Sequence, residues 1–259
     1  MEPLIEVKNI RKVYRMGEEK VVALDDVSLD IYRGEVVCFL GASGSGKSTF
    51  LNMTAGLEKP TKGEIYIGGI PIHKLNEENV TLFRQKNIGF IFQAFHLMPM
   101  FTAVENVSLP LIFRGVDKKK RDKMARETLA TVGLAGYENR KPTQMSGGQQ
   151  QRVGIARALV GNPKIIFADE PTGNLDSHTS REVMEIMMAK VREFNRTFII
   201  VTHDRKIADY ADRIVTIQDG NILSIETNQD RSAQSPAAEG DKDINESAAV
   251  QGEQESMKN

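Results

Sequence analysis

The chain has 259 residues, 40% hydrophobic and 27% charged, with a formal net charge of −1. That balance is ordinary for a globular protein and argues against a nucleic-acid partner recruited by bulk charge. Its longest apolar runs are of strand length, far short of the roughly 18 residues of a membrane span.

The opening Met-Glu-Pro-Leu-Ile-Glu-Val-Lys lacks the basic-then-apolar layout of a signal peptide, so a cytoplasmic protein is expected. Residues 5–10 and 21–31 carry alternating or turn-flanked apolar residues and predict strands. Residues 35–40 end in Val36-Val-Cys-Phe-Leu40, a fully apolar strand followed at once by Gly-rich sequence and a helix. Cys38, the single cysteine, falls in that strand; no disulfide framework exists, and it is read as a small buried apolar residue. Residues 64–67 and 88–92 predict further strands. Pro110 and Gly115 then break the chain before an amphipathic stretch at 117–132, with Met124, Leu129 and Val132 at helical spacing. Residues from about 94 to 161 read as predominantly helical. Strand character returns at 164–168, 197–202 and 213–218, with a helix over 180–194. The pattern is an α/β core interrupted by a helical insert and then resumed, without internal repeats.

The last stretch, 229–259, differs in kind. It holds seven acidic and three basic residues, a charge of −4, and is dominated by Ser, Ala, Gln, Gly and Glu. So little apolar surface cannot offset the ordering entropy, and a disordered acidic tail is expected beyond a folded unit of 1–228.

Residues 41–49, Gly-Ala-Ser-Gly-Ser-Gly-Lys-Ser-Thr, match the phosphate-loop pattern in full, between a predicted strand and a helix. Gly41, Ala42, Ser43, Gly44, Ser45, Gly46, Lys47, Ser48 and Thr49 are thus nucleotide-binding candidates. The glycines let consecutive backbone N–H groups face a β-phosphate, Lys47 supplies the cation for the β and γ oxygens, and Ser48 is a Mg²⁺ ligand. Such a metal needs a carboxylate at the end of a neighbouring strand. The run Lys164-Ile-Ile-Phe-Ala-Asp-Glu170 supplies two: Asp169 for the metal, and Glu170 to polarise an attacking water. A second anion site follows from Ser146-Gly-Gly at the start of an amphipathic helix, where unpaired N–H groups and the helix dipole converge. One chain therefore carries two phosphate cradles.

With these residues in place, positions 4–226 resemble the ATPase subunit of ABC transporters. The resemblance implies a P-loop NTPase (RecA-like) core with an antiparallel β subdomain and an inserted α-helical subdomain. It places Tyr14 on adenine, Gln93 in the loop that reaches Mg²⁺ and senses the transport partner, and His203 on the γ-phosphate. Met145-Ser-Gly-Gly-Gln-Gln150 matches the signature motif, making Ser146, Gly147, Gly148 and Gln149 nucleotide contacts, and Asn174-Leu-Asp176 matches the D-loop. In that family two copies pair head to tail, each nucleotide lying between one copy's phosphate loop and the other's signature motif, so the second cradle would serve the partner's ATP.

Within the family, Asp169-Glu-Pro-Thr-Gly-Asn-Leu-Asp-Ser177 and Phe92-Gln-Ala-Phe-His-Leu-Met-Pro99 point to the branch of the macrolide exporter (MacB), lipoprotein-release (LolD) and cell-division (FtsE) ATPases. The resemblance implies ATP and Mg²⁺ as ligands. It also implies a permease partner at the cytoplasmic face of the membrane, and export, extraction or force transmission as the output. Two alternatives are a mechanical regulator of envelope enzymes without transport, and a soluble ABC ATPase. Repair and chromosome ATPases would need a long coiled-coil insertion for which the spacing leaves no room.

Overall fold

The computed structural model describes residues 2–17 and 19–228; the expected tail at 229–259 lies outside them. The described residues form two sheets. The first joins β1 (Ile5–Met16), β2 (Glu19–Ile31), β4 (Lys62–Ile67) and β5 (Ile70–Pro71), all antiparallel, in the order β2-β1-β4-β5. The second contains β3 (Val36–Leu40), β6 (Ile88–Phe92), β7 (Ile165–Asp169), β8 (Thr197–Thr202), β9 (Arg213–Gln218) and β10 (Asn221–Thr227), in the order β10-β9-β3-β8-β7-β6. It is parallel from β9 to β6, with β10 an antiparallel edge.

The apolar runs become central strands because a parallel sheet is covered on both faces. Successive side chains on a strand point to opposite faces. Val36 and Cys38 join one buried cluster with Ile166, Ala168, Phe198 and Ile200. Val37 and Phe39 join the other, with Ile165, Phe167, Ile199 and Val201. The first cluster is sealed by α3 (Ala103–Phe113), α4 (Lys118–Thr131), α5 (Gly147–Leu159) and α6 (Ser177–Glu193); the second by the antiparallel sheet and α1 (Lys47–Thr54). As expected from its position, Cys38 is buried, and burial pushes its thiol up to about 12.

Several local expectations are refined. Pro110 does not break the chain: it sits inside α3, which runs on to Phe113, and Gly115 makes the turn with φ of 69°. Proline here removes only the N–H that would reach the Asn106 carbonyl, close to the end of a helix whose start is secured by the Thr102–Glu105 capping box. The insert is mostly helical, with turns and coil at 94–102 and 132–146. Helix α6 starts at Ser177, three residues early, because Asp176 caps it. Helices α2 (Glu77–Asn87) and α7 (Arg205–Ala208), and strand β10, had no clear sequence signal.

The topology gathers the ends that matter. The loop after β3, the end of β7, and the first residues beyond β6 and β8 all lie at the carboxyl edge of the parallel sheet. In register, Phe92 pairs with Asp169, Asp169 with Val201, and Leu40 with Thr202. Ligands of open α/β sheets bind at this edge.

Candidate active site

The loop from Gly41 to Gly46 connects β3 to α1 without a side-chain cap: Gly46 stands at the helix N-cap with φ of 108°. A Cβ there would lie 2.5 Å from the Ala23 carbonyl, so only glycine lets the loop pass beneath β2. The Lys47 ammonium curls back to donate to the carbonyls of Gly41 (2.8 Å) and Ala42 (2.7 Å). Burial lowers its pKa, opposed by the charges of Glu170 and Asp169. A cation held this way is poised for polyphosphate, since it gives up only two neutral acceptors.

A cleft of about 430 Å³ opens above this loop. Ser43, Gly44, Gly46, Lys47, Ser48 and Thr49 line one side, with Gln93, Asp169, Glu170 and His203 on the other, and Ala23 at the rim. The candidates drawn from four separate segments therefore share one cavity, of a size suited to a nucleotide. Ser48 donates to Asp169 through its hydroxyl at 3.3 Å. Burial raises the Asp169 carboxyl above its usual range, the Ser48 hydrogen bond opposes that, and the Glu170 charge reinforces it. The residues expected to hold a metal offer oxygen donors: the Ser48 hydroxyl, the Asp169 carboxylate and the Gln93 amide carbonyl. No cluster of three His, Cys, Asp or Glu forms among the described residues. A sparse set of hard oxygen ligands fits Mg²⁺, which keeps waters and takes phosphate oxygens rather than an all-protein cage.

Glu170 has φ of 46°, in the left-handed region that non-glycine residues rarely adopt. Such backbone costs on the order of 1–3 kcal/mol and persists where the surroundings impose it. Here the Glu170 amide donates to the Val201 carbonyl (2.9 Å) and its carbonyl accepts from Gly173 (3.0 Å). Its carboxylate accepts from the Thr202 hydroxyl at 3.1 Å and meets His203 Nδ1 at 2.8 Å. His203 covers it from the solvent side, with 66% of the imidazole side chain exposed against 18% of the glutamate's. The geometry pairs His203 with the carboxylate, a contact that sequence reasoning did not anticipate; Thr202 and Ala23 were likewise missed. Thr202 could have been found as the polar residue ending an otherwise apolar strand beside His203. Ala23 carries no such signal.

Of the remaining candidates, Gln93 lines the cleft, whereas Tyr14, Asp176 and the start of α5 do not. Tyr14 does not line the cleft; its hydroxyl donates to Glu58 (2.7 Å), and the Lys12 ammonium sits over its ring. Gln93 and Asn174 are cross-linked, Asn174 Nδ2 donating to the Gln93 carbonyl at 3.0 Å. Asp176 accepts from the amides of His178 and Thr179, each at 3.0 Å. Ser146 and Gln149 form a capping box at the start of α5, which leaves the first-turn N–H groups of Gly147 and Gly148 without intrahelical acceptors. None of Ser146, Gly147, Gly148 or Gln149 lines the cleft.

A parallel sheet with a phosphate loop at its carboxyl edge, two acids at the end of β7, across β8 from the strand that leads to that loop, and a helical insert defines a P-loop nucleotide hydrolase. The chain belongs to the ABC transporter family, which matches residues 24–173, as its ATP-binding and ATP-hydrolysing subunit. It is 48% identical to the uncharacterized ABC transporter ATP-binding protein MJ0796 of Methanocaldococcus jannaschii, over 85% of this chain and 95% of that protein. It is 46% identical to the macrolide export ATP-binding/permease protein MacB of Salmonella typhimurium, over 86% of this chain but only 34% of MacB. Among solved structures it resembles the dimeric post-hydrolysis state of MJ0796 bound to ADP and Pi, with a TM-score of 0.80 at 46% identity, covering 86% of this chain and 98% of that one. CbiO1 of Clostridium perfringens, part of the cbiONQ transporter complex, gives 0.79 at 28% identity, covering 90% and 92%.

Proposed function

We propose that two copies of the chain close around two ATP molecules and so drive a permease of the MacB/LolD kind from the cytoplasmic face of the membrane. The observation that carries this reading is the separation of the two anion sites. The cleft is lined by the phosphate loop and both acids, whereas Gly147 and Gly148, whose N–H groups have no intrahelical acceptor, do not line it. A cradle that its own nucleotide does not reach is explained by a nucleotide bound to another copy. The dimeric MJ0796 structure with ADP and Pi supports the same arrangement.

In this reading residues 1–228 act as one ATPase unit, with the insert at about 94–161 as its lever. Lys47 and the loop amides hold the β- and γ-phosphates, and Tyr14 faces the adenine. Ser48, Asp169 and Gln93 hold Mg²⁺, which neutralises charge on the transferred phosphoryl group when bound. Glu170 takes the proton of the attacking water, and His203 shifts from the carboxylate to the γ-phosphate. Ser146, Gly147, Gly148 and Gln149, with Asp176, complete the partner's site. ATP binds the closed dimer better than the open one, and hydrolysis reverses that bias. The insert presents Met98, Met100, Ile112 and Phe113 at 47%, 70%, 43% and 70% exposure, an apolar set with two flexible methionines suited to a permease helix. Among the described residues no helix is long and apolar enough to cross a membrane, so attachment through the permease is expected.

Solution mass tests the sandwich. Removing a general base costs about 10²–10⁴ in rate, so Glu170→Gln should bind ATP, scarcely hydrolyse it, and shift from monomer to dimer with Mg-ATP. Adding Ser146→Arg should abolish the shift; normal dimerisation of that double variant sinks the proposal. Affinity purification of Glu170→Gln from detergent-extracted membranes should recover a permease, and recovery from the soluble fraction alone would remove the transport reading.

A further inference from the structure

The catalytic turn has a tie that comes from an unexpected direction. Gln151 lies on α5, one turn from the signature residues, and is fully buried. Its Nε2 donates to the carbonyl of Pro171, the residue that follows Glu170. Its Oε1 has no partner among the described residues, so burying an amide here carries a desolvation cost that an apolar side chain would avoid. Further along the same helix, Arg157 donates to the carbonyls of Phe95 (2.7 Å) and His96 (2.6 Å). Both are non-glycine residues at positive φ, 60° and 46°, two and three positions beyond Gln93. Between the two ties stands Gly154, where a Cβ would meet Gln151 Oε1 at 3.6 Å and the Phe95 carbonyl at 3.9 Å. Helix α5 thus grips a left-handed turn beside Glu170 and another beside Gln93.

We infer that Gln151 is a positioning residue for hydrolysis: through the Pro171 carbonyl it makes the placement of Glu170 depend on the position of helix α5. The inference rests on the sandwich reading. The N-terminus of α5 faces the partner's nucleotide, while Gln151 reaches the acid of its own chain's site. A shift of α5 on engaging one nucleotide therefore moves the Glu170 turn over the other, and the two sites communicate through one rigid helix. The Glu170 backbone already occupies a costly conformation, so its geometry responds to loss of a restraint on the next peptide. A displacement of about 1 Å in catalytic geometry can cost up to about 10²-fold in rate.

The test uses the full chain and two near-isosteric variants. Gln151→Leu keeps volume and removes the donor; it should lower kcat by about 10- to 100-fold, leave fluorescent-ATP affinity unchanged, and bring the Hill coefficient of hydrolysis towards one. Gln151→Glu restores a donor only when protonated, and burial favours that neutral form. Its kcat should therefore exceed that of Gln151→Leu, with the ratio to the original chain rising as pH falls, or standing near one throughout if the group stays protonated. Wild-type kcat and Hill coefficient in Gln151→Leu would overturn the inference. So would Gln151→Glu and Gln151→Leu being equally slow at every pH, because a merely structural loss has no reason to follow donor protonation. Glu170→Gln run alongside separates the two levels: its turning over normally would fail the sandwich chemistry itself, whereas its inactivity with a normal Gln151→Leu fails only the coupling.

Discussion

Burial raises the Asp169 carboxyl, an effect that the Ser48 hydrogen bond opposes and the Glu170 charge reinforces. A raised pKa means that the folded chain binds this proton more tightly than the unfolded one. The associated stability is complete below the ordinary value of 3.8 and is lost as pH rises through the folded pKa. Above that window the ionised carboxylate weighs against the fold, and a bound cation would offset that cost. Asp169→Asn keeps an acceptor for Ser48 and drops the charge. Without nucleotide it should melt at or above the temperature of the original chain, with the difference larger near pH 8 than at about pH 5, while Mg-dependent hydrolysis is lost. Thermal melts at both pH values check this, and a lower melting temperature at pH 8 would refute it.

Among the elements, the start of α5 meets α6 and the turn before it almost without clearance. A Cβ on Gly148 would lie 2.5 Å from Thr179 Cγ2, and one on Gly147 would lie 3.3 Å from Leu175 Cδ2. Glycine to alanine in an open helix gains about 0.5–1 kcal/mol. Here overpacking should win, at about 1–3 kcal/mol. Gly148→Ala is expected to unfold at lower urea, and adding Thr179→Ser, which removes the clashing methyl, should recover most of the loss. The strands of the parallel sheet were legible because Val36 to Leu40 and Phe198 to Val201 are continuous apolar runs, which a sheet buried on both faces demands. The course of α3 through Pro110 was not, since tolerance of one missing hydrogen bond depends on the capping box and packing around it. Strand β10 escaped because its exposed Leu223 and Ile225 belong to an edge whose neighbour is set by the fold.

For the whole molecule, Asp212 shows how distant segments are locked together. Only 4% exposed, it accepts from the Val36 amide at 2.8 Å and pairs with Arg192, which also reaches the Gly34 carbonyl. Three stretches, two of them separated from the first by well over a hundred residues, converge at the start of the strand that leads to the phosphate loop. Removing one partner of a buried ion pair costs about 3–5 kcal/mol. Asp212→Ala should lose that much in chemical denaturation, and Asp212→Asn, which can still accept from Val36, should lose less.

The phosphate loop, the paired acids that end and follow β7, and the glycines of the signature helix were determined by sequence, because each works through residue types at contiguous spacing beside a strand or helix of clear period. Which of them meet was decided by tertiary structure. The register of β6, β7 and β8 brings Gln93, Asp169 and His203 to one cleft and leaves Ser146 to Gly148 outside it. The His203–Glu170 contact, the Gln151 tie to Pro171 and the Asp212 lock are likewise tertiary. Each joins side chains or backbone groups far apart along the chain, and such proximity follows only from how sheets and helices pack once their apolar faces are buried.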